Sequence, residues 1–559
     1  MKSPDILPHI RKVRPLAGAL LVLTMAVMFL PWLGETSFNT KGEPREALVA
    51  VSMLQSGDYV LPTAYGADIP YKPPMLAWLI TGASIMTGGI NEYASRLPSA
   101  VAAILLMTGL YRVVLRRTGS LALAMLSALV TVTTTEVFRA ASACRVDMVL
   151  TACLVGALLC LFEARERHGK PYFSWWAVLL MTGAVLTKGP VGMALPCLVM
   201  LVYFLVRGDG TWRSLLVLSL SGLLSLILPL TWYWLAYREG GDAFMRLVLE
   251  ENFGRLTGTM TYDSHLNPWW YNIVTLLAGM LPYTLFALLS VFVRHLRVPG
   301  LKGSVRRLRA LQPLTLFALT AAVVVFVFYC FPASKRSVYL LPCYPFLGYF
   351  VARLLCWAVG GRRWQLEVYA WVIGVVVFVG AWLVWGLHVV ESKPGMFLYN
   401  EDWGIVEWTF VWLTIVAGAF VVWTARRRDV TTVVATLAAT VCIYCLLSST
   451  VLPPVLNQKS DISVARVIRQ KGLSMPVYTF NEDRLMRWYT TAFYLDDALR
   501  RIEDAPVGVD VNLLVAERDM EEWGRRYGMR YEVADTLWHG ECRSGDVRSV
   551  PLLLHLRAK

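Results

Sequence analysis

The sequence predicts an α-helical protein that crosses a membrane about thirteen times and ends in a small α/β domain outside it. Three observations carry this expectation. Of 559 residues, 56% are hydrophobic and only 16% charged, with a mean hydropathy of +0.52. A soluble chain keeps about a quarter of its residues charged and has too little interior to hide so much apolar surface. The apolar residues are gathered into long runs separated by short basic loops, and from residue 456 onward the composition reverts to that of a soluble domain.

Runs long enough to cross about 30 Å of hydrocarbon lie near 15–34, 97–115, 119–136, 147–163, 173–187, 190–206, 213–237, 270–293, 312–331, 337–356, 366–388, 405–425 and 431–452. A shorter run, 74–89, follows Pro73-Pro74 and reads as an interfacial helix. Were it to span, every later loop would change sides and most of the Lys and Arg would lie outside, against the positive-inside bias. The first run follows Lys2, Arg11, Lys12 and Arg14 and stops at Pro31 and Trp32 with no small-residue cleavage site, so it reads as an uncleaved first span. The expected arrangement has a cytoplasmic N-terminus and a periplasmic C-terminus in a bacterial inner membrane. The transmembrane part is 1–455, with a first outside loop at 35–96, and the soluble part is 456–559.

The net charge of +14 does not point to nucleic acid. Its basic residues sit between apolar runs, as in Arg294-His295-Leu296-Arg297 and Arg426-Arg427-Arg428, which is the pattern of loops held on the cytoplasmic side. Twenty-one Trp and 24 Tyr suit a chain meeting many headgroup layers. Nine of the ten cysteines lie in or beside apolar runs, so no disulfide framework is readable. In the soluble part, helical patterns at 461–472, 482–503 and 516–527 alternate with strand-like runs at Val477–Phe480, Val511–Val515, Tyr531–Val533 and Val550–Leu556. It carries no glycine-rich phosphate loop, so no nucleotide cofactor is expected, and its expected role is structural or gating.

The acids collect in the outside loops, and the first of these is the densest. It contains Gly42-Glu43-Pro44-Arg45-Glu46-Ala47, then Ser56-Gly57-Asp58-Tyr59-Val60, then Pro70-Tyr71-Lys72-Pro73-Pro74. Glu43 and Arg45 lie near the mouth of a span, where charge is costly without a partner or a wet cavity. Lys72 sits on a stiff, extended stretch between aromatic and proline residues, which suits a point-charge contact to phosphate. The same charges would also suit headgroup contact, and the residues alone leave both readings open.

These three segments, in this order, resemble the first loop of the polyprenyl-phosphate-dependent GT-C glycosyltransferases. That superfamily includes protein O-mannosyltransferases and the bacterial enzymes that attach aminoarabinose to lipid A. Later segments follow in the same order: Arg145-Val146-Asp147-Met148, Leu186-Thr187-Lys188-Gly189-Pro190, Glu251–Arg255, His265 before Pro268-Trp269-Trp270-Tyr271, and Ser334-Lys335-Arg336 before Tyr339-Leu340-Leu341-Pro342. The resemblance covers residues 10–350 well and the remainder loosely, and within the superfamily it favours the aminoarabinose branch.

The resemblance implies a GT-C-like fold and transfer of 4-amino-4-deoxy-L-arabinose from undecaprenyl phosphate to phosphate groups of lipid A. That modification gives resistance to cationic antimicrobial peptides. It implies that Arg45, Lys72 and Arg255 grip the carrier phosphate, with Lys188, Lys335 and Arg336 as further contacts to carrier or lipid A phosphate; Lys335-Arg336 at a span end also reads as a headgroup anchor. Glu43 falls at the acidic position of the first-loop motif, but Gly42 stands where the family usually has aspartate. A lipid A phosphate is already anionic, so the acceptor needs no base, whereas a hydroxyl acceptor would. Asp147 is expected to orient or charge-stabilise the donor sugar, or to cap the helix it begins. His265 with Glu43 or Asp263 is a candidate pair for a divalent metal, or a hydrogen-bonded histidine near headgroups. Two rivals remain: a protein O-mannosyltransferase, which would want the missing aspartate, and a lipid or sugar transporter, which would want inverted repeats and mid-membrane charge.

Overall fold

The computed structural model describes residues 8–66, 68–70, 72–254, 266–268, 270–293, 307–389, 403–481, 488–540 and 550–559. Every apolar run read from the sequence is a helix or a bent pair of helices. Among the described residues nine helices are long and apolar enough to cross a membrane, and up to eleven spans result if each bent pair is one. The other two runs form Trp175–Lys188 and Val191–Arg207, of 14 and 17 residues. At about 1.5 Å per residue both fall short of a hydrocarbon core, so the expected total of about thirteen depends on them.

The bent pairs are Leu121–Val132 with Thr135–Ala141, at 70°, and Tyr271–Gly279 with Tyr283–Ser290, at 109°. Their breaks meet. The amide and hydroxyl of Thr135 donate to the carbonyl of Leu281 at 2.9 and 3.1 Å, and the hydroxyls of Thr133 and Tyr283 share a hydrogen bond. Backbone groups that lose their helical partners at the breaks are satisfied across the protein instead.

The first loop, read as 35–96, is largely helical. Helix Gly42–Ser56 begins on the Gly-Glu-Pro-Arg-Glu motif and ends at Gly57. The following Asp58 carboxylate accepts from the amides of Val60 and Leu61 at 2.8 and 3.1 Å, so Ser-Gly-Asp is a helix stop and turn. Pro74 then opens the short apolar helix Met75–Thr87, and the first long apolar helix after it is Glu92–Thr118.

At the C-terminal end five strands form one sheet in the order β2-β1-β3-β5-β4: β1 Val477–Phe480, β2 Leu499–Arg501, β3 Val511–Ala516, β4 Tyr531–His539 and β5 Pro551–Ala558. β1 pairs in parallel with β2 and β3, and β5 runs antiparallel to β3 and β4. The helix expected over 482–503 is corrected here. Among the described residues of that stretch, 488–503, Tyr489–Tyr494 is α-helical, the chain turns through left-handed Asp496 and Asp497, and Leu499–Arg501 joins the sheet as β2. The fully buried Leu499, in register with Val477, has a stronger demand for the sheet interior than the local helical pattern can resist. The apolar core runs from the helices into one face of this sheet without a break.

Candidate active site

Charged side chains gather at both ends of the long helices Glu92–Thr118 and Val146–His168, and the two gatherings differ. At the C-terminal ends Glu163 receives Arg116 and Arg117, and Arg165 pairs with Glu166 and Asp209. That network joins connectors. At the N-terminal ends, five separate segments contribute: helix Gly42–Ser56, the Lys72 stretch, Arg96, the start of Val146–His168, and the end of Trp175–Lys188.

Helix Gly42–Ser56 presents its acids to different partners. Glu43 is buried and faces Arg96, whose Nε and second terminal nitrogen lie 3.0 and 3.4 Å from its two oxygens; the Cys144 amide donates to it at 2.9 Å. Arg96 also donates to the carbonyls of Leu33 and Thr36, at 2.8 and 2.6 Å, and lies over the Phe38 ring. The structure therefore gives Glu43 a closed ion pair that ties the end of the first span to the motif helix. It is no open ligand for a cation, because a guanidinium already occupies the approach to its oxygens. His265, the other half of the expected metal pair, lies outside the described residues, as do Asp263 and Arg255. No group of three or more metal-ligating side chains occurs among the described residues.

Glu46, one residue beyond Arg45 and one turn beyond Gly42, is the acid that faces the other charges. Its carboxylate bonds the Lys72 ammonium and lies 3.4 Å from Arg45. Burial pushes Glu46 up, but the two cations outweigh it and hold the carboxyl below its ordinary value. Lys72 is pulled down by burial and by Arg45, against the pull of Glu46. Two half-buried cations share one acid, so the acid is held charged, while burial first and the neighbouring Arg45 after it lower the lysine. Glu46 and Lys72 also border a cleft of about 30 Å³, room for about one water, walled by Val49, Met53, Val60 and Trp232.

Asp147 lies in the first turn of Val146–His168 behind Arg145, which occupies the cap position without a side-chain bond. Its carboxylate accepts from the Lys188 ammonium at 2.6 Å, and that ammonium also sits 4.3 Å from the centre of the Tyr339 ring. Capping is therefore not what Asp147 does. Lys188 ends its helix because Gly189 follows with φ 81°, and a Cβ there would come 2.8 Å from the Asn252 side chain. The Thr-Lys-Gly segment thus delivers an ammonium and then leaves by a path only glycine takes without strain. Lys72 and Arg145 both act on Asp147 electrostatically, and Asp147 on Glu46, so the two ion pairs form one cluster.

The expected aspartate position is also legible. A Cβ on Gly42 would approach the Arg145 guanidinium at 3.3 Å. An acid at 42 would pair with Arg145 there; in this chain the nearest carboxylate on the same helical face is Glu46.

Lys335 is buried, and its ammonium donates to the Pro332 carbonyl at 2.8 Å, while its own carbonyl accepts from Asn267. Arg336 stands at the N-terminal cap position of the short helix Ser337–Cys343 that carries Tyr339, and its Nε is buried with no hydrogen-bond partner among the described residues. The structure thus joins Arg45, Lys72, Asp147 and Lys188 in one cluster and leaves Glu43 in an adjacent lock. Lys335 and Arg336 lie at the foot of the Tyr339 segment. Glu46, Arg96 and Tyr339 are the members that reasoning from sequence did not single out; an arginine in the second turn of the helix Glu92–Thr118, at the edge of its apolar run, signals a buried acid somewhere.

Residues 71–234, which hold Lys72, Asp147 and Lys188, match the family model described as dolichyl-phosphate-mannose-protein mannosyltransferase. An uncharacterized protein of Aquifex aeolicus is 27% identical over 341 residues, 60% of this chain and 63% of its own length. The undecaprenyl phosphate-alpha-4-amino-4-deoxy-L-arabinose arabinosyl transferase of Enterobacter sp. is 25% identical over 408 residues, 70% of this chain and 69% of that one. The match to the first of these relatives thus spans less than two thirds of its length. The crystal structure of ArnT from Cupriavidus metallidurans bound to undecaprenyl phosphate superposes with a TM-score of 0.71 at 22% identity, over 96% of this chain and 97% of that one. Over residues 71–234 the chain is thus similar to that mannosyltransferase family, over a longer stretch to the arabinosyl transferases, and in fold to ArnT.

Proposed function

We propose that the chain transfers 4-amino-4-deoxy-L-arabinose from undecaprenyl phosphate to phosphate groups of lipid A, at the periplasmic face of a bacterial inner membrane. The observation that carries the reading is the shared acid: Arg45 and Lys72 hold one carboxylate between them, Glu46, next to the Asp147–Lys188 pair. An anionic carrier entering there takes Lys72 and Arg45 as charge-assisted donors. An acceptor phosphate oxygen attacks the anomeric carbon, the bond from that carbon to the carrier oxygen breaks, and its electron pair leaves on undecaprenyl phosphate. Lys72 and Arg45 stabilise the charge as it builds. The acceptor is already ionised, so no proton must be removed. Glu46 and Asp147 offer carboxylates to the cationic amine of the sugar. The names carried by the relatives support the sugar and the carrier.

The test is mass spectrometry of lipid A from cells with and without the gene, beside purified protein supplied with the lipid-linked sugar. Addition of one aminopentose per lipid A phosphate supports the reading. The description of the family model favours a second reading, transfer of a hexose to a protein hydroxyl; unmodified lipid A together with hexose on membrane or periplasmic protein would establish that one instead.

A further inference from the structure

The tip of the first loop is inserted into the C-terminal sheet domain, 400 residues away in sequence. Tyr65 is fully buried. Its amide donates to Asp497 at 2.8 Å, its hydroxyl bonds Thr479 on β1 at 2.8 Å, and its ring stands edge-on to Tyr489 at 5.9 Å. The other Asp497 oxygen accepts from Ser52 on helix Gly42–Ser56 at 3.2 Å. Three residues past Tyr65, Asp68 is bonded by Arg501 of β2. Gly66, with φ 88°, presses on the Arg500 side chain so closely that a Cβ would come within 2.7 Å of it.

Both partners in this contact are held in costly backbone. Tyr65, Asp496 and Asp497 all have left-handed φ, 56°, 52° and 58°. Non-glycine residues stay in that region only where their surroundings over-determine it, and such strain gathers where a position matters. Asp497 is buried, and its carboxylate accepts from both ends of the segment that leads from the motif helix to the loop tip. From Asp68 the chain reaches Lys72 in four residues, with Pro70 before it and Pro73-Pro74 after. Pro70 fixes one φ within that link and Pro73 restricts the backbone of Lys72 itself, so a shift at Asp68 is felt at Lys72.

We propose that the C-terminal domain is a clamp on the first loop, that Asp497 is its positioning residue, and that what it positions is the Lys72 ammonium against Glu46. The link to transfer rests on the proposed function; the clamp itself does not. Asp497 touches no member of the charge cluster and acts through Ser52 and Tyr65.

The experiment uses the full chain in lipid nanodiscs and reads hydrogen–deuterium exchange together with transfer. Asp497→Ala should raise exchange at 57–74 about tenfold or more, and leave helix Val146–His168 unchanged. Turnover should fall on the order of 100-fold, as expected when a charged contact is displaced by about 1 Å. Asp497→Asn keeps an acceptor for the Tyr65 amide and a donor for the Ser52 hydroxyl, so it should stay near wild type in both readouts. Tyr65→Phe, which loses only the bond to Thr479, guards against a misfolded alanine variant and should loosen 57–74 alone. Unchanged exchange at 57–74 in folded Asp497→Ala, or in Tyr65→Phe should the alanine variant misfold, would overturn the clamp. So would an asparagine variant as loose as the alanine one. Loosening without loss of turnover would overturn the positioning of Lys72. Absence of aminoarabinose transfer by the wild-type protein would count against the proposed function and leave the exchange result to decide the clamp.

Discussion

Glu43→Gln separates a strut from a base, and the structure supplies the magnitude. Glu43 accepts two bonds from Arg96 and one from the Cys144 amide, and both side chains are buried. Glutamine keeps an oxygen for the amide but removes the counter-charge, leaving Arg96 buried and unpaired at a cost of about 3–5 kcal/mol. Arg96→Met strands the carboxylate by a similar amount and also frees the Leu33 and Thr36 carbonyls, about 1 kcal/mol each. The double variant carries only the carbonyl loss and the poorer fit, about 2–3 kcal/mol. It should therefore be more stable than either single variant. The assay is thermal unfolding of the four proteins in one detergent, with transfer expressed per folded molecule. Per folded molecule, Glu43→Gln should keep transfer within about tenfold of wild type, since no proton needs to move. Additive destabilisation in the double variant would refute the strut. A loss above about 100-fold per folded molecule would make Glu43 a base and favour a hydroxyl acceptor.

Three further outcomes follow from the site and the topology. Lys72→Ala should cost transfer about 100-fold or more with expression intact, and Lys72→Arg should also be impaired, because a planar fork does not fill the place of an ammonium held by Glu46; wild-type turnover in the alanine variant would remove Lys72 from the site. Lys72 is pulled down in the free protein and gains a partner when phosphate arrives, so its pKa rises on binding and protons are taken up. Undecaprenyl phosphate should accordingly bind more tightly as pH falls through the lysine's range, until the phosphate itself gains a proton near pH ~6; binding that is flat or strengthens with pH, followed by tryptophan fluorescence, would contradict this. For topology, a cysteine at the exposed Val507 should react with an impermeant thiol reagent from the periplasm, and one at the exposed Lys170 should not; labelling at 170 would invert the arrangement.

Lys72, Asp147 and Lys188 were legible because each sits in a short segment whose local chemistry is odd for a membrane protein: a lysine among prolines, an acid opening an apolar helix, a lysine before a glycine. Their joining in one cluster follows from helices of one hydrophobic length starting and ending at common levels. Glu46 and Arg96 escaped for a different reason. Each looks ordinary within its own segment, and its partner, Lys72 or Glu43, lies 26 or 53 residues away. Glu43 drew attention as the motif acid, yet its burial beside Arg96 is a tertiary fact that no spacing encodes. In the C-terminal domain the strands Val477–Phe480 and Val511–Ala516 announced themselves by β-branched and leucine-rich runs. Leu499–Arg501 did not, because a three-residue edge strand has too little pattern to outweigh the helical residues before it.

The meeting of the two broken helices bears on how the chain is made. The Thr135 amide finds its acceptor in Leu281, nearly 150 residues later, and Thr133 finds Tyr283 at the same separation. A chain inserted from its N-terminus therefore carries an open backbone group at the first break until the second bent pair is synthesised and threaded beside the first. At about 5–20 residues per second that interval is roughly 7–30 s, long compared with the movement of a helix in lipid. Something must satisfy the first break meanwhile, and the chemistry of the position names water or the insertion machinery, since acyl chains offer no acceptor. Substitutions at Leu281 or Tyr283 would then reveal themselves first as slow or failed biogenesis of an otherwise competent molecule.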